Sequence, residues 1–466
     1  MGHIKSRDLS KIGYTNDQAR SLAINTITKN CKHWSHTEIL NQLITIKENP
    51  HDFLTHDFFS PLAEVLSGRN KIRDFVSYNL LTEIKKYKLF GKKEIESNAI
   101  KQMDTVMKLP IVIDGAMMPD AHSGFGMPIG GVISAKNKVI PYAIGVDIGC
   151  RMSLSIFDAG ENFITRNNFQ IKDAIRKNTN FGLDGGLEQF QHHDILDSDL
   201  FNATDFLRKL KGKARRQLGS SGTGNHFVEF GNAELPENNF FALPAGKYTA
   251  LLSHSGSRGF GSAIAQQYFS IAMDKCRLPN EAKFLAWLDL ESGAGQEYWL
   301  SMNLAGDYAT ACHEVIHRNL SKALGLKVLT NVSNHHNFAW KEINHSGDEV
   351  IVHRKGATPA GAGVLGIIPG SMSTPAYIVQ GLGNPLSLNS ASHGAGRAMS
   401  RQKAKESMTN SALKKHLDQQ GVTLMGGSVE ESPSAYKDID RVMAAQTDLV
   451  EVLGKFFPKI VRMYKE

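Results

Sequence analysis

The 466 residues are 41% hydrophobic and 21% charged, a globular balance that excludes wholesale disorder and a fibrous repeat and suits one large core with extensions. A net charge of +7 favours a polyanionic partner. Four cysteines (Cys31, Cys150, Cys276 and Cys312) without a C-x-x-C pair, and residues 1–6 without an apolar signal region, exclude a secreted disulfide scaffold and point to a reducing cytoplasm.

In chain order, Thr15-Asn-Asp-Gln18 and Ser35-His-Thr-Glu38 read as capping boxes, and Ser60-Pro61 as a further helix start. After the second box, Ile39, Leu40, Leu43 and Ile44 share one helical face. Residues 1–100 hold fifteen Lys/Arg against eleven Asp/Glu, so this stretch carries +4 of the total. The expected organisation is a helical N-terminal extension over 1–104, serving as a docking surface for RNA or a partner, followed by a catalytic domain over 105–466. From about Ile111 the texture turns to short β-rich runs punctuated by glycine, at 131–134, 139–140 and 248–252. Helical patterns return at 261–275, 296–325, 401–417 and 436–457. The fold class is α+β: a mixed β-sheet core with surrounding helices.

Six cations crowd into nine residues at Arg208, Lys209, Lys211, Lys213, Arg215 and Arg216. The run reads either as a solvated helix face or as a track for an RNA backbone. Gly356 to Gly396 contains no Asp, Glu, Lys or Arg but nine glycines and four prolines, which rules out a membrane-spanning helix and suggests buried loops and strands lining a cleft. Cations border it, His353-Arg-Lys355 on one side and Arg397 and Arg401 on the other, as a phosphate-bearing ligand would require. No Walker loop and no nucleophile elbow occurs, and the glycines at 361, 363 and 366 do not open a helix as a dinucleotide fingerprint would.

Chemistry concentrates in glycine-embedded polar clusters. Asp147 and Cys150 lie in Gly145-Val-Asp-Ile-Gly-Cys-Arg151, and His226 in Ser221-Gly-Thr-Gly-Asn-His-Phe-Val-Glu229. His254 lies in Ser253-His-Ser-Gly-Ser-Arg258, and His336 in Asn334-His-His-Asn-Phe338. One carboxylate, one thiolate and three imidazoles suit one or two divalent ions, with the cysteine bridging in the two-metal case; zinc and manganese both fit such a donor set.

These clusters occur in order with Met118-Pro-Asp-Ala-His-Ser-Gly-Phe-Gly-Met-Pro-Ile-Gly-Gly131, His353-Arg-Lys-Gly-Ala-Thr358, Pro369-Gly-Ser-Met372 and Ser392-His-Gly-Ala-Gly-Arg397. From about residue 105 to its end the chain therefore resembles the RtcB family of RNA-splicing ligases. The resemblance implies a catalytic core of the RtcB type and joining of RNA 3′-phosphate or 2′,3′-cyclic phosphate ends to 5′-hydroxyl ends, with GTP and two Mn2+ ions. It implies Asp147, Cys150, His226, His254 and His336 as metal ligands and His393 as the histidine that receives GMP. It implies a nucleotide site of Asn225, His226, Phe227, Val228, Glu229, His336, Asn337, Pro369, Gly370, Ser371, Met372, Gly394, Ala395, Gly396, Tyr436 and Lys465. Arg258, Arg397 and Arg401 would meet RNA phosphates.

Asp120 either fixes the tautomer of His393 or caps a backbone N–H in a turn; His122 reads as structural. Three positions depart from the family pattern. Arg151 follows the metal cysteine where glycine is usual, Ser373-Thr-Pro-Ala376 removes a hydroxyl at Ala376, and the chain ends Tyr464-Lys-Glu466. The competing functional class is a metal-dependent RNA-end phosphohydrolase without ligation. Whether an activating partner takes part is left open.

Overall fold

In the computed structural model, which describes residues 4–68 and 75–465, Ser35 caps the helix His36–Glu48. The Glu38 amide donates to Ser35 Oγ, and the Ser35 amide donates to Glu38 Oε2 at 2.7 Å. Such a box is worth ~1 kcal/mol. The helix Asp17–Asn30 starts differently from expectation: Ala19 N donates to Asn16 Oδ1, so the cap lies one residue beyond Thr15. Pro61 occupies the first turn of Ser60–Leu66. These helices bury Leu9, Tyr14, Ile27, Leu43, Phe59 and Leu62 in a core of their own.

The chain divides into two compact units, 1–75 and 76–466, so the division falls near residue 75 rather than 104. Residues 76–104 join the larger unit because their apolar side chains have partners there. Tyr78, Leu80, Tyr87 and Leu89 pack on its main core, Lys88–Leu89 pairs in parallel with residues 116–117, and the helix Ser97–Val106 buries Ala99, Met103 and Val106 in it.

The larger unit holds two principal sheets, an α+β arrangement. In the first, the spatial order is Val328–His335, Arg151–Gly160, Gly246–Ser255, Phe227–Leu235, Val450–Met463, Ala376–Gly381 and Leu365–Ile368, antiparallel along this path, with Thr423–Met425 parallel to Val450–Met463. The second contains Asn337–Ile343, Glu349–Lys355, Ile129–Ala135, Val112–His122 and Lys88–Leu89. His336 is the single residue between the strand that ends one sheet and the strand that begins the other. The helices Arg258–Lys275 and Gly293–Leu324 pack on the main core.

Two helical expectations are corrected. Of 436–457, only Ile439–Ala444 is helical; Val450–Met463 is a strand paired on both sides. Its β-branched and aromatic residues prefer a pleated surface, and Pro458 would remove a helical hydrogen bond. The 401–417 pattern is two helices, Arg401–Ser407 and Asn410–Gln419, because Thr409 Oγ1 accepts from Ala412 N and caps a new start.

Candidate active site

Strand ends of the first sheet converge on one cavity. Cys150 immediately precedes Arg151–Gly160, His226 precedes Phe227–Leu235, and His254 lies one residue from the end of Gly246–Ser255, opposite Phe227 and Met152 in register. His336 follows Val328–His335. Asp147 reaches the same place only because position 256 is glycine: a Cβ there would lie 1.9 Å from Asp147 Oδ1.

The five donors form two overlapping groups, Asp147–Cys150–His226 and Cys150–His254–His336, each with its donor atoms within 4.8 Å of one another. Cys150 Sγ is shared, 3.4 Å from His226 Nε2 and 3.2 Å from His254 Nε2. His254 Nε2 lies 3.3 Å from His336 Nε2, and His226 Nε2 lies 3.0 Å from Asp147 Oδ2. His254 Nδ1 donates to the Asn225 carbonyl at 3.1 Å, which leaves its Nε2 lone pair facing the cluster. The Nδ1 atoms of His226 and His336 are buried without a partner. Burial pushes the His254 imidazole down to about 3 and His336 well below its usual range, so both rings are neutral. Burial, with Asp147 beside it, pushes the Cys150 thiol well up. Burial works against the Asp147 carboxylate, but the His226 hydrogen bond and charge outweigh it and hold Asp147 below the ordinary range. One sulfur, three imidazole nitrogens and a carboxylate converging in two overlapping groups could hold divalent cations, with the cysteine common to both.

The facing wall carries His393. Its Nδ1 lies 2.6 Å from Oδ2 of the fully buried Asp120, and its backbone N–H donates to the same oxygen at 3.2 Å. Asp120 lies in the strand Val112–His122 and not in a turn, and its one oxygen meets both the ring and the backbone N–H of His393. Burial opposes its ionisation, but His393 outweighs burial and keeps the carboxyl below its ordinary range. An ionised Asp120 holds the imidazole proton on Nδ1 and leaves the Nε2 lone pair to the cavity; the His336 ring centroid is 5.0 Å away. Gly396, at φ +71°, permits this approach, since a Cβ there would meet the Asp120 carbonyl oxygen at 2.1 Å. His122, expected to be structural, also lines the cavity; its Nδ1 lies 3.1 Å from the Asp120 carbonyl oxygen, and burial pushes it down to about 4.

The cavity, about 320 Å³, is lined by both walls and by Asn225, Phe227, Glu229, Asn337, Pro369, Gly370, Ser371, Met372, Gly394, Ala395, Gly396, Arg397, Arg401 and Tyr436. The charge-free tract does line a cleft. Other expected residues lie elsewhere. Val228 faces away, into a core with Phe157 and Ile316. Lys465 is exposed and outside the cavity lining. Arg258 is buried, its Nε donating to Ser220 Oγ at 3.1 Å and its Nη2 to the Gly182 carbonyl, and it does not line the cavity. Of the cationic border at 353–355, His353 and Arg354 are fully buried, one accepting from Ile140 N and the other held by Glu342 and Ser390. Only Lys355 reaches the cavity, pushed down to about 8 by burial. Arg151 points away from the donors, with its Nη2 3.2 Å from His335 Nδ1. Ala376 lines the cavity as a bare methyl beside Thr374.

Sequence reasoning missed two features. Glu430 and Glu431 are buried carboxylates that anchor the cavity arginines: Arg401 Nη1 donates to Glu430 Oε1 at 2.6 Å, and Arg397 Nη1 to Glu431 Oε2 at 3.1 Å. Their adjacency in Ser428-Val-Glu-Glu was the only signal. Behind the donors, His313 and His317 lie one turn apart on the helix Gly293–Leu324. The Ser255 carbonyl accepts from His313 Nε2 at 3.2 Å, so His313 Nδ1 accepts from Ser253 Oγ at 2.6 Å. Ser253 then accepts from His317 Nε2, whose Nδ1 accepts from Ser155, which accepts from Asn331 Nδ2. This directed chain pins both neighbours of His254.

The family model described as tRNA-splicing ligase RtcB matches residues 102–463. RNA-splicing ligase RtcB of Escherichia coli K12 is 34% identical over 415 residues, covering 81% of this chain and 97% of that protein. RNA-splicing ligase RtcB1 of a second Escherichia coli strain matches to the same extent. The tRNA-splicing ligase RtcB of Thermococcus kodakarensis is 28% identical over 425 residues, covering 76% of this chain and 88% of that protein. With this match over most of its length and these strand-end donors around one cavity, the chain belongs to the RtcB family.

Proposed function

We propose that this protein is an RNA ligase that joins 3′-phosphate or 2′,3′-cyclic phosphate ends to 5′-hydroxyl ends at the expense of GTP. The observation that carries the reading is His393, tied through Nδ1 to buried Asp120 at 2.6 Å and facing a five-donor cluster across the cavity. A hydrolase would need the donors but not a histidine held as a nucleophile.

The chemistry follows from what a terminal phosphate lacks, a leaving group. His393 Nε2 attacks the α-phosphorus of GTP; an N–P bond forms, the α–β anhydride bond breaks and pyrophosphate departs. An oxygen of the RNA 3′-phosphate then attacks the same phosphorus, and the imidazole leaves as the new anhydride forms. The 5′-hydroxyl attacks the 3′-phosphorus and GMP departs; a cyclic phosphate is first opened by water. Asp120 keeps the reacting lone pair on Nε2. Glu229, whose carboxyl burial pushes well up, offers a dry partner for the donors of a guanine edge, and Phe227, Met372 and Tyr436 flank it. Arg397 and Arg401, preset by Glu430 and Glu431, take RNA phosphate oxygens. Two Mn2+ ions on Asp147, Cys150, His226, His254 and His336 would supply Lewis-acid polarisation of phosphoryl oxygens. The four cysteines are buried and free, which suits a reducing cytoplasm. Among the described residues no helix is long and apolar enough to cross a membrane.

The test is incubation with α-labelled GTP and Mn2+. The reading requires protein-bound GMP that is acid-labile and alkali-stable, as a phosphoramidate is, mapping to His393. Release of inorganic phosphate from RNA ends with no adduct would select the phosphohydrolase instead.

A further inference from the structure

The six-cation run forms the helix Asp205–Gln217, which buries Leu207, Ala214 and Gln217 and turns its cations to the other faces. Its two flanks differ. On one, Arg208 pairs with Asp205, Lys211 lies over the Phe201 ring at 5.6 Å and Arg215 over Phe190 at 5.0 Å. On the other, Lys209, Lys213 and Arg216 have no carboxylate or aromatic partner among the described residues. Their i, i+4, i+7 spacing stacks them in a row, with neighbouring Cβ atoms about 5–6 Å apart. Like charges so placed repel one another and do nothing for the helix.

The uncompensated flank includes Lys213, which packs on the start of the helix Arg258–Lys275. Gln217 Oε1 accepts from the Gly259 amide at 2.9 Å, and Lys213 Cδ lies 3.3 Å from where a Cβ at Gly259 would stand. The chain then runs from Gln217 to Gly224, whose Cβ position is 3.1 Å from Arg401 Nη2, and two residues later supplies His226. The helix that carries this row of three cations is thus followed by a connection that reaches Arg401 at the cavity.

We infer that Lys209, Lys213 and Arg216 form a track for the ribose-phosphate backbone of the RNA strand whose terminal 3′-phosphate sits at Arg397 and Arg401. The inference rests on the ligase reading and deepens it. Point cations read phosphates and not base edges, so the track favours strand length and is indifferent to sequence. A dinucleotide ending in 3′-phosphate is too short to use it.

The test is equilibrium binding of 5′-fluorescein oligoribonucleotides, one long and one a dinucleotide, both ending in 3′-phosphate, across a salt series. Lys209→Gln, Lys213→Gln and Arg216→Gln together should weaken the long strand about tenfold or more and flatten its log K against log salt slope by about 2, near 0.7 for each phosphate no longer neutralised. The dinucleotide should bind unchanged. The charge-conserving set Lys209→Arg, Lys213→Arg and Arg216→Lys should restore both affinity and slope, which separates charge from folding. An unchanged slope and affinity in the Gln variant would overturn the track, as would an equal loss for the dinucleotide. Adduct formation from labelled GTP, run beside every arm, needs no RNA. Its absence in the parent protein would defeat the ligase reading, whereas length-independent binding defeats only the track.

Discussion

Buried histidines occur on both sides of the strand Gly246–Ser255, and the two sets are built in opposite ways. Behind the strand, both ring nitrogens of His313 and of His317 have partners, in a chain running from Asn331 to the Ser255 carbonyl. In front of it, His226, His254 and His336 crowd their Nε2 atoms toward one thiol and one carboxylate, and two of their Nδ1 atoms are buried without a partner. Burial alone therefore says nothing about a histidine's job. A set that satisfies itself is architecture, and a set whose donor atoms converge on one another could hold a cation.

The contrast predicts separable failures. Cys150→Ser removes the donor shared by both groups. A parent protein saturated at one hundred times its Kd gains about 2.7 kcal/mol from Mn2+; that gain should vanish in the variant, and adduct formation with it. Calorimetry with and without Mn2+ checks the first and labelled GTP the second. Full Mn2+ occupancy with a normal adduct would sink the shared-thiolate arrangement.

Asp120→Asn should leave the Mn2+ response intact but slow adduct formation by about 10²- to 10⁴-fold, because the amide no longer holds the imidazole proton on Nδ1. Single-turnover kinetics measures it, and a rate within threefold of the parent would reduce Asp120 to an acceptor for the His393 backbone N–H.

His317→Ala strands the Ser155 and Ser253 hydroxyls and should cost about 1–3 kcal/mol of folding stability. The loss should be the same with and without Mn2+, since the layer binds none; a metal-dependent loss would mean that the two sides of the strand are not separable.

The last effect is on pH. Burial holds His317 at about 3, below its unfolded value. The unfolded chain takes up a proton that the folded one refuses as pH falls below about 6.5, so stability contributed above that pH is lost progressively toward pH 3. Urea midpoints in this window should show a pH slope shallower by one proton, about 1.4 kcal/mol per pH unit, in His317→Gln.

The sequence displayed the front of the strand far better than the back. Asp147, Cys150, His226 and His254 each have glycine within two residues, the mark of backbone that must pack closely around a ligand. His313 and His317 sit in an unbroken helical pattern, where nothing local distinguishes a buried network from an exposed turn. Glu430 and Glu431 were hidden for the same reason: their partners are about thirty residues away, at Arg397 and Arg401. His353 and Arg354 were misplaced because a charge next to a glycine-rich tract looks solvent-bound, whereas the strand Glu349–Lys355 is buried through most of its length. The capped helices were readable from local rules, while the strand Val450–Met463 owes its state to neighbours on both sides.

The central claim is that His393 carries the guanylyl group and the donor cluster serves the final joining step without it. The direct measurement is His393→Ala assayed with Mn2+ on two substrates, RNA ending in 3′-phosphate plus GTP, and RNA already carrying a 3′-terminal pp-guanosine. The account predicts no adduct and no joining of the first, and joining of the second near the parent rate. An adduct that persists in His393→Ala, or a variant with normal metal content that fails on the pre-activated RNA, would contradict it.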